Sequence, residues 1–324
     1  MRARFTLERG HATIWVVSES YWQAVMNSGM HVPRDRPLDE LTTELVQMLG
    51  HPNPRWRDDT AYPLLASWIR DGEYDDLLVG LGDGIARGLL NGLGNDEDDS
   101  VLRRSFSALI LAEIINRDNN ALLLSSRPIM RWGDEATSWY VREQDLRGWI
   151  PGHGWAHAIA HGADLLGGFA RSRHLARMEL TVMLDVIADR LLAPTRYVWR
   201  HGEVDRLAYA VIVILQRGKV PLNVLEPWIA RLGAGARPER RRGESPSEWP
   251  SVEAHNTSNF LRGMYVQLAL GVQGLPDLRD DVELFKDPPP HRADLLLSIL
   301  DQIRAESPWL FTPGTGRRTL PPGP

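Results

Sequence analysis

Apolar residues at spacings of three and four recur through almost all of this 324-residue chain. That period is the signature of amphipathic helices and leaves little else to build with. Twenty-two prolines and 28 glycines punctuate the periodic segments and mark where each helix stops. Leu38 to Leu49 follows Pro37 and ends at Gly50, where a left-handed residue is favoured. After the turn HPNPRWRDD a helix is expected from about Asp58 to Arg70, with Pro63 in its first turns, where a missing donor is tolerated. Further helices are expected from Tyr74 to Leu93 and from Val101 to Asn116, with Asp98, Asp99 or Ser100 capping the second. The acidic turn NDEDDS lacks the alternating ligands and distal glutamate of a calcium loop. Alternating strand patterns are scarce. Ala12 to Val17 is the best strand candidate and could equally open a helix.

The helices pair into what reads as copies of one unit. Arg57 is followed four residues later by Ala61, and Arg104 by Ala108, an offset of 47 residues (104 − 57). The same step recurs at Arg206 and Ala210. A hairpin whose second helix opens with an arginine, then a small residue one turn on for close packing, accounts for it. Periods of about 40–47 residues belong to HEAT-type repeats. The expected fold is all-α, stacked helical hairpins resembling HEAT repeats in an α-solenoid, over residues 1–311 as one domain. Arg231 to Pro250 reads as an exposed loop whose ERRR cluster is a solvated charge run, and 312–324 reads as a disordered tail.

Composition narrows the function classes. A formal net charge of −5 and a pI near 6.1 argue against a dedicated nucleic-acid binder. The absence of cysteine removes disulfides, thiolate metal sites and cysteine nucleophiles. No stretch reaches the ~18 apolar residues of a membrane span. The N-terminal apolar run is too short for a signal peptide, so a cytoplasmic protein is the simplest expectation.

Polar chemistry concentrates in one place, Glu143 to Leu166, EQDLRGWIPGHGWAHAIAHGADLL, which holds three of the ten histidines. A helix over Trp155 to Leu166 would place His157, His161 and Asp164 at roughly 0°, 40° and −20°, on one face. Histidines at i and i+4 can chelate one metal ion from a helix. Asp164 would lie about 10.5 Å along the axis from His157. It suits an orienting role behind His161 better than a place on the same ion. Glu143 or Asp145, on the preceding loop, could supply a third ligand. Zinc or iron fits such a donor set, with Lewis-acid hydrolysis or an iron-dependent oxidation as the chemistry.

The same groups could work without metal. A histidine oriented by a carboxylate is a competent general base, and Arg147 could hold an anionic substrate group. Asp145, Arg147, His157, His161 and Asp164 are then the catalytic candidates. A purely structural role, with the histidines satisfied inside the core, stays open beside both, and His201 and His255 lack local partners in the sequence. The partner is a small-molecule substrate or, for a scaffold, another protein. There is no GxSxG elbow and no glycine-rich phosphate loop.

SYWQAV, ELVQMLGHPNPRWRDDTAYPLLASWI, SVLRRSFSALILAEI, YVREQDLRGWIPGHGWAHAIAHGADLL and EVDRLAYAVIVIL together resemble the bacterial domain of unknown function 2785 family, from about residue 19 to 270. The resemblance implies an all-helical scaffold. It supports Glu143, Asp145, Arg147, Gly148, Trp155, His157, His161 and Asp164 as its shared polar element, without His153. It implies no activity.

Overall fold

The computed structural model describes residues 19–237 and 250–311. Among them the fold is all-α, apart from one two-stranded hairpin. The first helix, α1, covers 19–27, and α2 runs Leu38–Met48 after Pro37, as its cap signals dictate. A short turn Pro54–Trp56 and a π-helical turn Arg57–Ala61 lead into α3, Tyr62–Asp71, with Pro63 in its first turn and left-handed Gly72 closing it. Then come α4 (Leu78–Gly88), α5 (Ser100–Ala121) and α6 (Ser126–Arg142). The hairpin of β1 (Trp149–Ile150) and β2 (Gly154–Trp155) precedes α7 (Ala158–Arg171). The chain continues through α8 (Arg177–Leu192), α9 (Glu203–Gln216), α10 (Leu222–Ala236), α11 (Val252–Leu270), the single turn α12 (Asp281–Leu284) and α13 (Arg292–Glu306).

Several boundaries move from where the sequence puts them. α4 is shorter than Tyr74–Leu93: Asp75–Leu77 forms a separate 3₁₀ turn, and Gly92 and Gly94 take positive φ beyond its end. α5 runs past Asn116, because Asp118 accepts the Leu124 amide (2.6 Å) after Leu122 turns left-handed. Its acidic turn is closed by Asp98, which accepts the Ser100 amide (3.0 Å), while Asp99 and Ser100 make no cap. Residues 231–236 of the expected loop are the last turn of α10. The ERRR cluster, the strand candidate Ala12–Val17 and the tail from 312 lie outside the described residues.

Helices pack against the next but one: α3 on α5, α5 on α7, α7 on α9 and α9 on α11 form one row. α4 on α6, α6 on α8 and α8 on α10 form a second, which α13, beyond the single turn α12, continues by packing on α10. One continuous cluster of buried side chains, from Trp22 to Ile299, fills the space between them. Each fully buried Leu or Ile there contributes about 1.5–3 kcal/mol. The 47-residue offset returns as hydrogen bonds. Arg117 donates to the Arg70 carbonyl (3.1 Å), Arg217 to that of Ala170, and Arg190 to that of Glu143 (2.8 Å), each 47 residues back. The first two satisfy carbonyls at the ends of α3 and α7, which have no partner within their own helix. Among the described residues no helix is long and apolar enough to cross a membrane.

Candidate functional site

The segment between α6 and α7 is braced by ion pairs before any histidine is reached. Glu143 ends α6, and its carboxylate lies 1% exposed. It accepts Arg104 Nε (2.6 Å) and Nη2 (2.7 Å), Trp139 Nε1 (2.8 Å) and the amides of Gln144 and Asp145 (3.1 Å each). Five donors on two oxygens leave it no role as a metal ligand. Asp145, fully buried, accepts Arg147 Nε (2.8 Å) and Nη2 (2.5 Å) and the Asp98 amide (3.3 Å). Arg147 also donates to the Asp98 carbonyl (3.3 Å). Its Nε and Nη2 are thus committed to the scaffold. Both residues tie the segment to the acidic turn before α5.

A third arginine fixes the hairpin tip. Arg57, fully buried, comes from the π-helical turn, a widened geometry often found at functional sites. It donates to the carbonyls of His51 (2.7 Å) and His153 (2.5 Å) and lies over the Phe106 ring at 4.9 Å. Trp149 pairs with Trp155 and Ile150 with Gly154. Gly152 (φ 80°) and Gly154 (φ 78°) make the tight return, which residues with a Cβ rarely adopt.

The hairpin changes where the next helix begins. Ala156 N–H donates to the Gly148 carbonyl (2.9 Å) and His157 N–H to that of Arg147 (3.1 Å), which holds both residues off the helix. His157 is left-handed (φ 55°, ψ 33°) and α7 starts at Ala158. The expected helix from Trp155, with His157 on its face, is therefore corrected by three residues. The two imidazoles still meet, because His157 is the residue that α7 grows from: His161 N–H donates to its carbonyl (2.9 Å) and the rings cross edge to face at 5.7 Å. A left-handed non-glycine residue stores strain that the surroundings must impose.

Around the pair lies a file of rings. Trp149, half exposed, meets Trp155 at 4.8 Å, and Trp155 stacks on His157 at 4.4 Å. His161 meets Phe106 at 5.0 Å, and Phe106 meets Tyr62 at 6.5 Å. Tyr62 donates to Glu113 (3.0 Å), and burial raises the pKa of both. His157 Nε2 lies 3.2 Å from the His201 carbonyl, a geometry that assigns its proton to Nε2. It is also 3.8 Å from Glu203 Oε1. Glu203 Oε1 is 3.6 Å from His201 Nδ1, and Oε2 accepts the His201 amide (2.6 Å). His161 is 5% exposed and its Nδ1 has no hydrogen-bond partner among the described residues.

Both imidazoles are uncharged at neutral pH. Burial lowers the His157 pKa to about 4; the nearby Glu203 opposes this and Arg206 reinforces it. Burial, then the charges of Arg206 and His157, hold His161 well below the usual histidine range. Asp164 does not orient His161. It pairs with Arg206, through Nε at 2.9 Å and through Nη2. Among the described residues no three His, Asp or Glu side chains are gathered to hold a metal ion, so His157, His161, Asp164 and Glu143 do not form one ligand set. Sequence reading passed over Glu203 and Phe106, and it set aside His201, which does have partners. Arg206 was visible only as a repeat marker. What could have found Glu203 and Arg206 is their place in the first turn of α9, the next helix but one after the site's own and the one that packs on it.

No curated protein and no solved structure matches the chain. A family model described as a protein of unknown function, DUF2785, matches residues 89–266. That span holds Arg104, Glu143, the hairpin, both imidazoles, Glu203 and Arg206. It covers more than half of the sequence, and the chain belongs to the DUF2785 family.

Proposed function

We propose that this protein binds a small polar molecule at the His157–His161 pair, with capacity for proton transfer there and without a metal. One observation carries the reading. Two buried, uncharged imidazoles stand in edge contact, and one of them keeps a ring nitrogen with no partner. Buried polar atoms are nearly always hydrogen-bonded, and an exception calls for a use. An uncharged imidazole is ready to accept a proton, and Glu203 beside His157 would stabilise the imidazolium that results. A zinc or iron form of this site would need a third donor, and Glu143 and Asp164 are each held by an arginine.

A thermal-shift screen of neutral, cationic and anionic small molecules tests the reading. A ligand at 100 times its Kd stabilises the folded state by about 2.7 kcal/mol. Compounds that raise Tm in the wild type and fail to do so in His161→Gln support it. A screen in which no compound acts through His161 overturns it.

A second reading, a scaffold for a protein partner, draws on the packing of each helix against the next but one, as expected for stacked HEAT-type hairpins. An apolar groove of about 240 Å³ between α6 and α8 favours it, with Met178 and Val182 exposed at its rim. Co-purification of a partner that is lost in Met178→Asp would move the balance toward it.

A further inference from the structure

The arginines of this protein use one edge of the guanidinium in a consistent way. Nε and Nη2 together form a fork that matches the two oxygens of a carboxylate. Among the described residues Arg104 closes that edge on Glu143, Arg117 on Asp75, Arg147 on Asp145, Arg171 on Asp281 and Arg206 on Asp164. Arg103 does not. Its Nη1 donates to the Val46 carbonyl near the end of α2, as Arg117 Nη1 does to that of Arg70 at the end of α3. Its Nε and Nη2 donate to nothing among the described residues, and neither is sealed from solvent, unlike the Nε atoms of Arg57 and Arg190. Burial lowers the Arg103 pKa, and no acid of the chain opposes it. Arg217 also lacks an acid, but it spends both Nη nitrogens on carbonyls. A partly buried charge with an empty fork is a cost that a counter-ion would offset.

The space beside Arg103 is a cleft of about 780 Å³ between the C-terminal ends of α2 and α4 and the turn before α5, large enough for a small molecule. Arg103 lines it, and so does Arg87, an exposed residue in the last turn of α4 with no ion pair among the described residues. His51 also lines it and adds no charge at neutral pH, because burial lowers its pKa and Arg57 reinforces this. Asp99 is the one carboxylate among the described lining residues. It is 55% exposed and stands 3.4 Å from His153 Nε2, and its charge acts on Arg57 and Arg147 and not on Arg103. The cleft is therefore positive in a chain whose formal net charge is −5. Pro52 and Leu90, 49% exposed, give it an apolar wall. The stem of Arg103 packs on Gly50, where a Cβ would come within 3.1 Å of its own Cβ, so the fork is presented from a fixed base.

We infer that Arg103 and Arg87 form a binding site for the carboxylate or phosphate of a small molecule with an apolar body, the oxyanion taking the Nε–Nη2 edge of Arg103. The site is separate from the histidine pair and does not rest on the function proposed there. Arg87 would add a second charge from the rim, and the apolar body would lie along Pro52 and Leu90.

Side-chain ¹⁵N NMR of the arginines in the full chain tests it, with benzoate, phenyl phosphate and benzamide as probes. The three share one ring and differ in the head group. Benzoate or phenyl phosphate should move the Arg103 Nε–H signal saturably, and the tighter of the two tells carboxylate from phosphate. Benzamide, the uncharged counterpart of benzoate, should bind at least about tenfold more weakly. Arg103→Gln should weaken the anion at least about tenfold, and Arg103→Lys should restore only part of the loss, since lysine keeps the charge without the fork. Arg87 makes no hydrogen bond among the described residues, so Arg87→Gln should leave Tm unchanged and still weaken the anion. That variant keeps the test decisive if Arg103→Gln disturbs the end of α2. Benzamide binding as well as benzoate overturns the inference. So does an Arg103 signal that neither anion moves, or anion binding that survives both Arg87→Gln and Arg103→Gln unchanged.

Discussion

Arg104 and Glu143, 39 residues apart, meet through two hydrogen bonds of 2.6 and 2.7 Å where neither side chain is more than 1% exposed. Arg104 also donates through Nη1 to the carbonyls of Asn91 (2.8 Å) and Gly92 (2.9 Å) and to Ser100 Oγ (2.8 Å), so one guanidinium joins two inter-helix turns. Removing one partner of a buried pair leaves the other charge uncompensated and costs about 3–5 kcal/mol. Arg104→Met should lower stability by that amount in urea denaturation. Adding Glu143→Leu should return part of it. A double variant no more stable than Arg104→Met would contradict this account of the pair.

The histidines set a pH dependence with a definite sign. Their folded pKa values lie below that of a free imidazole, so between the two the unfolded chain binds more protons. Stability should be intact above about pH 6.5, fall as the pH drops toward 4, and for His157 level off below that. The loss at His157 is on the order of 3 kcal/mol across the window. Denaturation midpoints measured from pH 7.5 to 4 in the wild type and in His157→Gln check this, and the variant should give the shallower curve.

Gly148 is required by what it faces. A Cβ there would come within 2.3 Å of His201 Nδ1 and 2.8 Å of Glu203 Oε1. Gly148→Ala must displace both side chains, at about 1–3 kcal/mol for overpacking. Where Glu203 moves off His157, the His157 pKa should fall further, because the Glu203 charge, together with the His201 backbone, raises it. Histidine NMR titration reads that shift directly, and an unchanged titration would separate Glu203 from His157.

A second buried pair clasps the chain beyond α11. Arg171 holds Asp281 through two bonds of 2.8 Å and also donates to Tyr209 Oη (3.0 Å). Asp281 accepts the Leu275 amide (2.7 Å) as well. Asp281→Asn should raise hydrogen exchange across 272–287 by at least tenfold while leaving α5 and α7 protected. Exchange rising equally in all three would mean that the clasp supports the whole fold.

The helices were legible because their apolar period, prolines and glycines are local signals. The 47-residue step between Arg57 and Arg104 in the sequence has the same length as the Arg117–Arg70, Arg190–Glu143 and Arg217–Ala170 hydrogen bonds. The family resemblance was also readable, and the polar segment stood out as a candidate. Its internal geometry was not. Nothing local announces that β1 and β2 consume Trp149 to Trp155, or that His157 turns left-handed. The wrong partners were chosen for a related reason. Glu143 and Asp164 looked available beside the histidines, but their arginines stand 39 and 42 residues away. Helical spacing shows which residues share a face. It does not show which charges are already spent across the packing.

The central claim is that His157 and His161 form an uncharged, metal-independent receptor for a small molecule. ¹⁵N spectra of the histidine rings at pH 7, taken in the presence of a chelator and with the active compounds of the thermal-shift screen added in turn, test it most directly. The account predicts neutral imidazoles at both positions and a saturable response at His161 Nδ1 that persists with the chelator present. A ring protonated at pH 7, or a response that appears only when zinc or iron is supplied, would contradict it.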